Sequence, residues 1–250
     1  MTVALPARAK LNLDLEVLGR TADGFHELRT TFQAIELHDL LQIEAAAETT
    51  FTTSGLTISK HQNSTLNAQQ AFEQHAGRKL PARIHLHKRI PPGSGMGGAS
   101  SDAAATLRAL KTLFALDVDL GPIAEELGAD VPFFLTGGRA KAQGRGERLT
   151  PLDDAPAWFA IAWPGIELAT GDVYKKWDET NGEGPNHLRR AAEHVDPRIK
   201  EFAATLGAGW QMTGSGSAFF QRTETKQQAE HATSRLDCWT AVTRSVAPWG

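Results

Sequence analysis

Twelve consecutive residues have the composition of an anion-binding loop: Pro91-Pro92-Gly93-Ser94-Gly95-Met96-Gly97-Gly98-Ala99-Ser100-Ser101-Asp102. Four glycines fall within six positions, directly ahead of an alanine-rich run. Glycine has no Cβ, so its backbone reaches positive φ and lets a ligand come close. If the alanine run is a helix, its first N–H groups lack internal partners and carry the positive end of the dipole. Loop and helix together then make a phosphate site. No lysine followed by Ser or Thr closes the loop, so this is not a P-loop. Gly93, Gly95 and Gly98 match the G-x-G-x-x-G dinucleotide spacing, but Pro91-Pro92 is a stiff approach to that fingerprint's tight turn. Three other places carry polar chemistry. Lys10, Asn12 and Asp14 alternate along one segment and project from one side of a strand, which is also how the wet face of a sheet reads. Asp130 is a lone acid between a small-residue turn and Val131-Pro132-Phe133-Phe134, a context that equally suits a cap or turn aspartate. Thr213-Gly214-Ser215-Gly216-Ser217 is a second glycine–serine turn, able to meet phosphate but also common in hairpins.

The elements that must hold these groups follow from periodicity. Ala82 to Lys88 alternates as a half-buried strand entering the glycine loop. Beyond the loop, Ser100 or Ser101 can cap a helix whose Ala103, Leu107, Leu110 and Phe114 share one face. Residues 4 to 18 alternate with period two and form a strand, and Thr21-Ala22-Asp23-Gly24 is a turn. A strand begins near Phe25, and β segments cover Phe32 to Leu37 and Leu40 to Ala45 with Asp39 in the turn between them. A helix spans Thr65 to His75 with Ser64 as cap, another Pro122 to Leu127 ending at Gly128, and residues 139 to 149 alternate again. Residues 51 to 63 are rich in Thr and Ser and fix no element. The remainder reads as strand (157–163), helix (171–177), glycine-rich loop (181–185), helices (187–194, 197–206), strands (209–213, 217–221), helix (225–236) and strand (238–245). All six tryptophans and the only tyrosine lie at or after Trp158, and Pro151 and Pro156 bracket an acidic link. These shifts place a boundary near 150, giving units 1–150 and 151–250 of an α+β protein.

Composition excludes several classes. With 250 residues, a net charge of −3 and a pI near 6.3, the chain can bury a large core and lacks the charge of a general nucleic-acid binder. A basic cluster, Arg78, Lys79, Arg83, Lys88 and Arg89, precedes the glycine loop and is either a solvated face or a lure for polyphosphate. Cys238 is the only cysteine, which rules out an internal disulfide and a cysteine-based zinc site. His85 and His87 read as an exposed polar strand face. No apolar run approaches the roughly 18 residues of a membrane span, and Met1 to Ala9 lacks a signal-peptide pattern. The expectation is a cytoplasmic protein with no membrane or nucleic-acid partner.

Several motifs now resemble a known family. Pro6-Ala7-Arg8-Ala9-Lys10-Leu11-Asn12-Leu13, the stretch Pro91 to Ser101, and Thr213-Gly214-Ser215-Gly216 are similar, in order, to the three motifs of the GHMP small-molecule kinases. Arg20 to Leu28, Gly128 to Phe134, and Gly144-Arg145-Gly146-Glu147 narrow the likeness to one branch, and it extends from about Pro6 to Phe220. The resemblance implies a two-domain α+β fold: an N-terminal domain like ribosomal protein S5 domain 2, a C-terminal ferredoxin-like sandwich, and the active site between them. It implies transfer of the ATP γ-phosphate, with Mg2+, to the 2-hydroxyl of 4-diphosphocytidyl-2-C-methyl-D-erythritol in the non-mevalonate isoprenoid pathway, by a monomer or weak homodimer. The loop Pro91, Pro92, Gly93, Ser94, Gly95, Met96, Gly97, Gly98, Ala99, Ser100 and Ser101 would bind ATP, with Ser101 the candidate near magnesium. Lys10 and Asp130 would be catalytic, the lysine keeping the acid ionised while the acid takes or orients the hydroxyl proton. Asn12, Phe25, His26, Thr170, Tyr174, Gly214 and Ser215 would bind the substrate, with the base between Phe25 and Tyr174 and His26 on its polar edge.

Three departures from the family pattern stand out. Phe25 replaces a usual tyrosine, the stretch between Tyr174 and Asn186 is short, and His187 stands in Asn186-His187-Leu188 where an acid is typical. Competing readings are a sister kinase acting on homoserine or mevalonate, a non-catalytic nucleotide sensor, and a Rossmann oxidoreductase. Phe25-His26 argues against the first and the Lys10/Asp130 pair against the second. The consecutive N-terminal strands argue against the third, which needs repeated βαβ units.

Overall fold

The computed structural model describes residues 1–57 and 63–249. Its N-terminal part runs β1 (Thr2–Arg20), β2 (His26–Ala45), β3 (Thr50–Gly55), α1 (Ser64–Ala76), β4 (Ala82–Lys88), α2 (Gly98–Leu113), α3 (Leu120–Leu127), α4 (Val131–Thr136), β5 (Arg139–Gly144) and β6 (Arg148–Pro151). β1 pairs antiparallel along nearly the whole length of β2, while β4 and β5 share the other edge of β2, one toward each end. β3 extends the sheet by pairing parallel to β4, and β6 by pairing antiparallel to β5. Helices α1 to α4 pack their apolar faces on this sheet around Phe72, Ile84, Leu107 and Phe133.

The C-terminal part runs β7 (Trp158–Trp163), α5 (Thr170–Thr180), α6 (Arg189–Val195), α7 (Arg198–Leu206), β8 (Gln211–Met212), β9 (Phe219–Thr223), α8 (Lys226–Thr233) and β10 (Trp239–Arg244). Its antiparallel sheet has the order β10-β7-β9-β8. Counted within this part, that is 4-1-3-2 with helices between, the ferredoxin-like arrangement. A third apolar cluster joins the two sheets: Ala9, Leu11 and Ile35 from the first meet Phe159, Ile161 and Phe220 from the second, with Ile90 and Met96 of the glycine loop among them. The fold is thus α+β, with two sheets packed face to face and the loop held at their junction.

Three expectations are corrected. The two β segments either side of Asp39 are one 20-residue strand, and Asp39 is buried within it. Its carboxylate pairs with Lys88 and accepts from the backbone N–H of Arg89 and Ile90, so an acid that reads as a turn residue is fully satisfied inside a sheet. Helix α2 starts at Gly98 with Gly97 at the cap in left-handed geometry, so neither Ser100 nor Ser101 caps it. Asn63, not Ser64, caps α1 by accepting from the Leu66 N–H. The apolar run after Asp130 folds as the short helix α4. Of residues 51–63, positions 51–55 belong to β3, and 58–62 lie outside the described residues.

Candidate active site

The residues with the sharpest chemical character meet in one cleft of about 700 Å³, lined from both parts of the chain. Lys10 comes from β1, buried on the inner side of a bulge that interrupts the β1–β2 ladder between Arg8 and Lys10. Its backbone N–H donates to the Met96 carbonyl at 3.0 Å, which locks the strand to the glycine loop. Its ammonium lies 3.6 Å from Asp130 and donates to Asn12 Oδ1 at 2.5 Å. Burial pushes the Lys10 pKa down, and the charge of Asp130 opposes that shift. Asp130 occupies the cap position of α4 yet makes no capping bond, leaving its carboxylate, 32% exposed, to face Lys10 and the cleft. Asn12 donates through Nδ2 to Thr30 and through its backbone to Thr213, so it is fixed from both parts of the chain. A second bulge between Asn12 and Asp14 breaks the expected alignment: Asp14 turns to the Thr31 N–H and hydroxyl and leaves the other two.

The glycine loop lies against the second part of the chain. Ser217 and Leu168 donate to the Gly93 carbonyl, and Ala218 donates to that of Ser94. Two glycines are sterically required. A Cβ on Gly95 would lie 2.2 Å from the Thr213 carbonyl oxygen, and one on Gly97 would lie 2.6 Å from the Phe134 ring, both at positive φ. Pro91 to Gly95 and Gly97 to Ser100 line the cleft. Met96 and Ser101 do not; both are buried, Met96 in the cluster between the sheets. The early start of α2 is what turns Ser101 inward and brings Ser100 to the cleft, which corrects the expectation for Ser101 as the group near magnesium.

Beneath the loop lies a network whose members read separately in the sequence. Lys88, at the end of β4, is buried between Asp39 of β2 and Asp102 of α2, the latter at 2.6 Å. Asp39 also holds the backbone at 89 and 90, so the network pins the loop where it begins and where it ends. Burial and the nearby Asp39 raise Asp102 to about 8 against the pull of Lys88. Three members of the basic cluster are thus paired: Lys88 inside, and Lys79 and Arg83 with Glu73 and Glu44.

On the substrate side Thr170 and Ser215 share a hydrogen bond at 3.0 Å and, with Gly214, line the cleft. Asn186 donates to the carbonyls of Met212 and Gly214, fixing the turn from beneath. The two aromatics expected to sandwich a base already have partners. Tyr174 stacks on His26, with ring centroids 4.9 Å apart, and burial raises its phenol pKa. Phe25 is 52% exposed, outside the cleft lining, and carries the Arg145 guanidinium 3.7 Å from its ring centroid. Arg145 lines the cleft and pairs with Asp23. His26 contacts Asp178 at 2.6 Å, in the short stretch before Asn186. His187 accepts the Val17 N–H through Nδ1, so the position lacking its usual acid ties α6 to β1. The motif Gly144-Arg145-Gly146-Glu147 was the signal for Arg145, and Asn186-His187-Leu188 for Asn186. Nothing local marked Asp39.

A glycine-rich loop at the junction of two sheets, with buried Lys10 facing the part-exposed Asp130 beside it, marks a small-molecule kinase of the GHMP class. Residues 63–138 match the family model of the GHMP kinases N terminal domain. The 4-diphosphocytidyl-2-C-methyl-D-erythritol kinase of Thermus thermophilus is 38% identical to this protein over 93% of this chain and 92% of its own length. A crystal structure of 4-(cytidine 5'-diphospho)-2C-methyl-D-erythritol kinase superposes with a TM-score of 0.83 at 35% identity, covering 99% of this chain and 100% of its own. Homoserine kinase from Cytophaga hutchinsonii, at 17% identity and a TM-score of 0.69, shares the fold. The chain belongs to the 4-diphosphocytidyl-2-C-methyl-D-erythritol kinase family.

Proposed function

We propose that the protein transfers the γ-phosphate of ATP to the 2-hydroxyl of 4-diphosphocytidyl-2-C-methyl-D-erythritol. The observation that carries this reading is Lys10 at 3.6 Å from an uncapped Asp130, both lining the cleft that the glycine loop walls. Phosphoryl transfer asks a protein mainly for positioning and for charge stabilisation. The loop and the first turn of α2 present backbone N–H groups to the phosphates. Asp130 accepts or orients the proton of the attacking hydroxyl, and the Lys10 ammonium beside it offsets charge on the transferring group. Asn12, held by Thr30 and Thr213, sets the ammonium of Lys10 in place.

The residues fit magnesium delivered with the nucleotide. Among the described residues no group of three or more His, Cys, Asp or Glu side chains could hold a metal ion alone. A metal carried by phosphates needs only one or two protein oxygens, and Asp130 and Ser100 offer them at the cleft wall. Bound there with the nucleotide, magnesium would supply neutralisation of the negative charge on the phosphates. The cytidine end falls to Tyr174, His26 and Arg145, with Thr170, Gly214 and Ser215 toward the diphosphate. The test is ATP consumption with magnesium against the cytidine substrate, homoserine, mevalonate and galactose. Turnover with the cytidine compound alone, lost in His26→Ala, is expected; turnover with another acceptor would replace the substrate assignment.

A further inference from the structure

Trp249 takes no part in the proposed chemistry and does not line the cleft, yet it touches each element that carries a catalytic group. Its indole packs against two guanidinium groups, Arg8 at 3.7 Å and Arg108 at 4.2 Å from the ring centroid. Two like charges gather on one aromatic ring, whose negative face offsets their repulsion. Its Nε1–H donates to the Phe134 carbonyl at 3.1 Å and its backbone N–H to that of Thr136 at 2.8 Å. Just before it, Ala247 accepts from Arg8. Arg8 lies two residues before Lys10 on β1, Arg108 lies on the helix that follows the phosphate loop, and Phe134 lies on the helix that Asp130 opens. The Phe134 ring in turn packs at Gly97, beside the Lys10 side chain.

Two of these elements carry a local irregularity near the catalytic pair. β1 is bulged between Arg8 and Lys10, and α4 has only six residues. We propose that Trp249 is a positioning residue for the Lys10–Asp130 pair, clamping β1, α2 and α4 together from outside the cleft. The proposal rests on the kinase reading given above. A displacement of about 1 Å at a reacting group can cost on the order of 100-fold in rate, so a brace of this kind is felt in turnover.

The experiment compares the wild type with Trp249→Ala and Trp249→Phe, each measured below its own melting temperature. In Trp249→Ala, kcat is expected to fall roughly tenfold or more while KM for ATP stays within about twofold, because the loop itself is intact. Trp249→Phe keeps a ring against both guanidinium groups and is expected to recover most of the lost kcat. Ile199→Val, in the core of the C-terminal part, supplies a destabilised reference with unchanged kcat. A second arm follows the Lys10 ammonium by NMR of labelled lysine, assigned with Lys10→Arg. Its titration is expected to move up toward the ordinary lysine value in Trp249→Ala as water reaches the pair. An unchanged kcat in Trp249→Ala, or an unmoved Lys10 titration, overturns the proposal. Failure of the wild type to phosphorylate any acceptor of the panel would instead overturn the kinase reading, and the lysine titration would still decide the role of Trp249.

Discussion

On the proposed mechanism Asp130→Asn removes the carboxylate that accepts or orients the hydroxyl proton and keeps the shape, so kcat is expected to fall by roughly 100-fold or more with KM for ATP little changed, read by steady-state kinetics. Lys10 sets the alkaline side of the pH profile. Its pKa is lowered by burial, so the cation is lost, and kcat/KM falls, at a pH below the ordinary lysine value. Lys10→Arg stays charged throughout, and its residual activity is expected to show no such decline when profiled from about pH 7 to 10. Asp102 acts on stability. It is raised to about 8, so it holds its proton more tightly folded than unfolded. Its contribution to stability is therefore full below about pH 4 and is lost as pH rises through about 8. Urea melts across that range are expected to show the loss in the wild type and a flatter profile in Asp102→Asn. Lys88→Met would leave Asp39 and Asp102 facing each other without a cation, at a cost of about 3–5 kcal/mol.

The glycine loop is the element on which binding turns. Gly95→Ala would drive a Cβ into the Thr213 carbonyl from a positive-φ residue, two faults that neighbouring side chains cannot relieve. Loss of about 1–3 kcal/mol of stability and a raised KM for ATP are expected, checked by thermal melts and nucleotide titration. Sequence made this loop legible because glycine spacing and the following helix are local signals. The strands of the C-terminal part were legible for the same reason, with ends displaced by one or two residues at β8 and β9. Asp39 and Asp102 were not legible. An isolated acid reads as a turn or helix-surface residue, and only the β4–β2 pairing brings Lys88 between them. The bulges of β1 were hidden too, since Lys10, Asn12 and Asp14 keep perfect alternation in sequence while the backbone between Asn12 and Asp14 does not. The family likeness named Lys10 and Asp130; the structure adds that the cap position of α4 leaves the acid unbonded.

At the scale of the whole molecule, the apolar cluster between the sheets makes the cleft a property of both parts. Phe159 is fully buried there, packed edge-on to Phe220, and Phe159→Ala is expected to cost about 3–5 kcal/mol. Because that cluster includes Ile90 and Met96, the substitution is also expected to weaken nucleotide binding, seen by calorimetric titration on protein that is still folded. The tail after β10 closes the circuit: Val246 donates to Ala34, and Trp249 reaches α4 across more than a hundred residues of chain. Long-range contacts of this kind form late, after the loops between them have closed. The stretch 246–249 spans the middle of β2 and the end of α4, so its contacts can form only once both elements are in place. On the proposed reading, the Lys10–Asp130 pair would be the last part of the cleft to be braced during folding, after the local turns of the glycine loop.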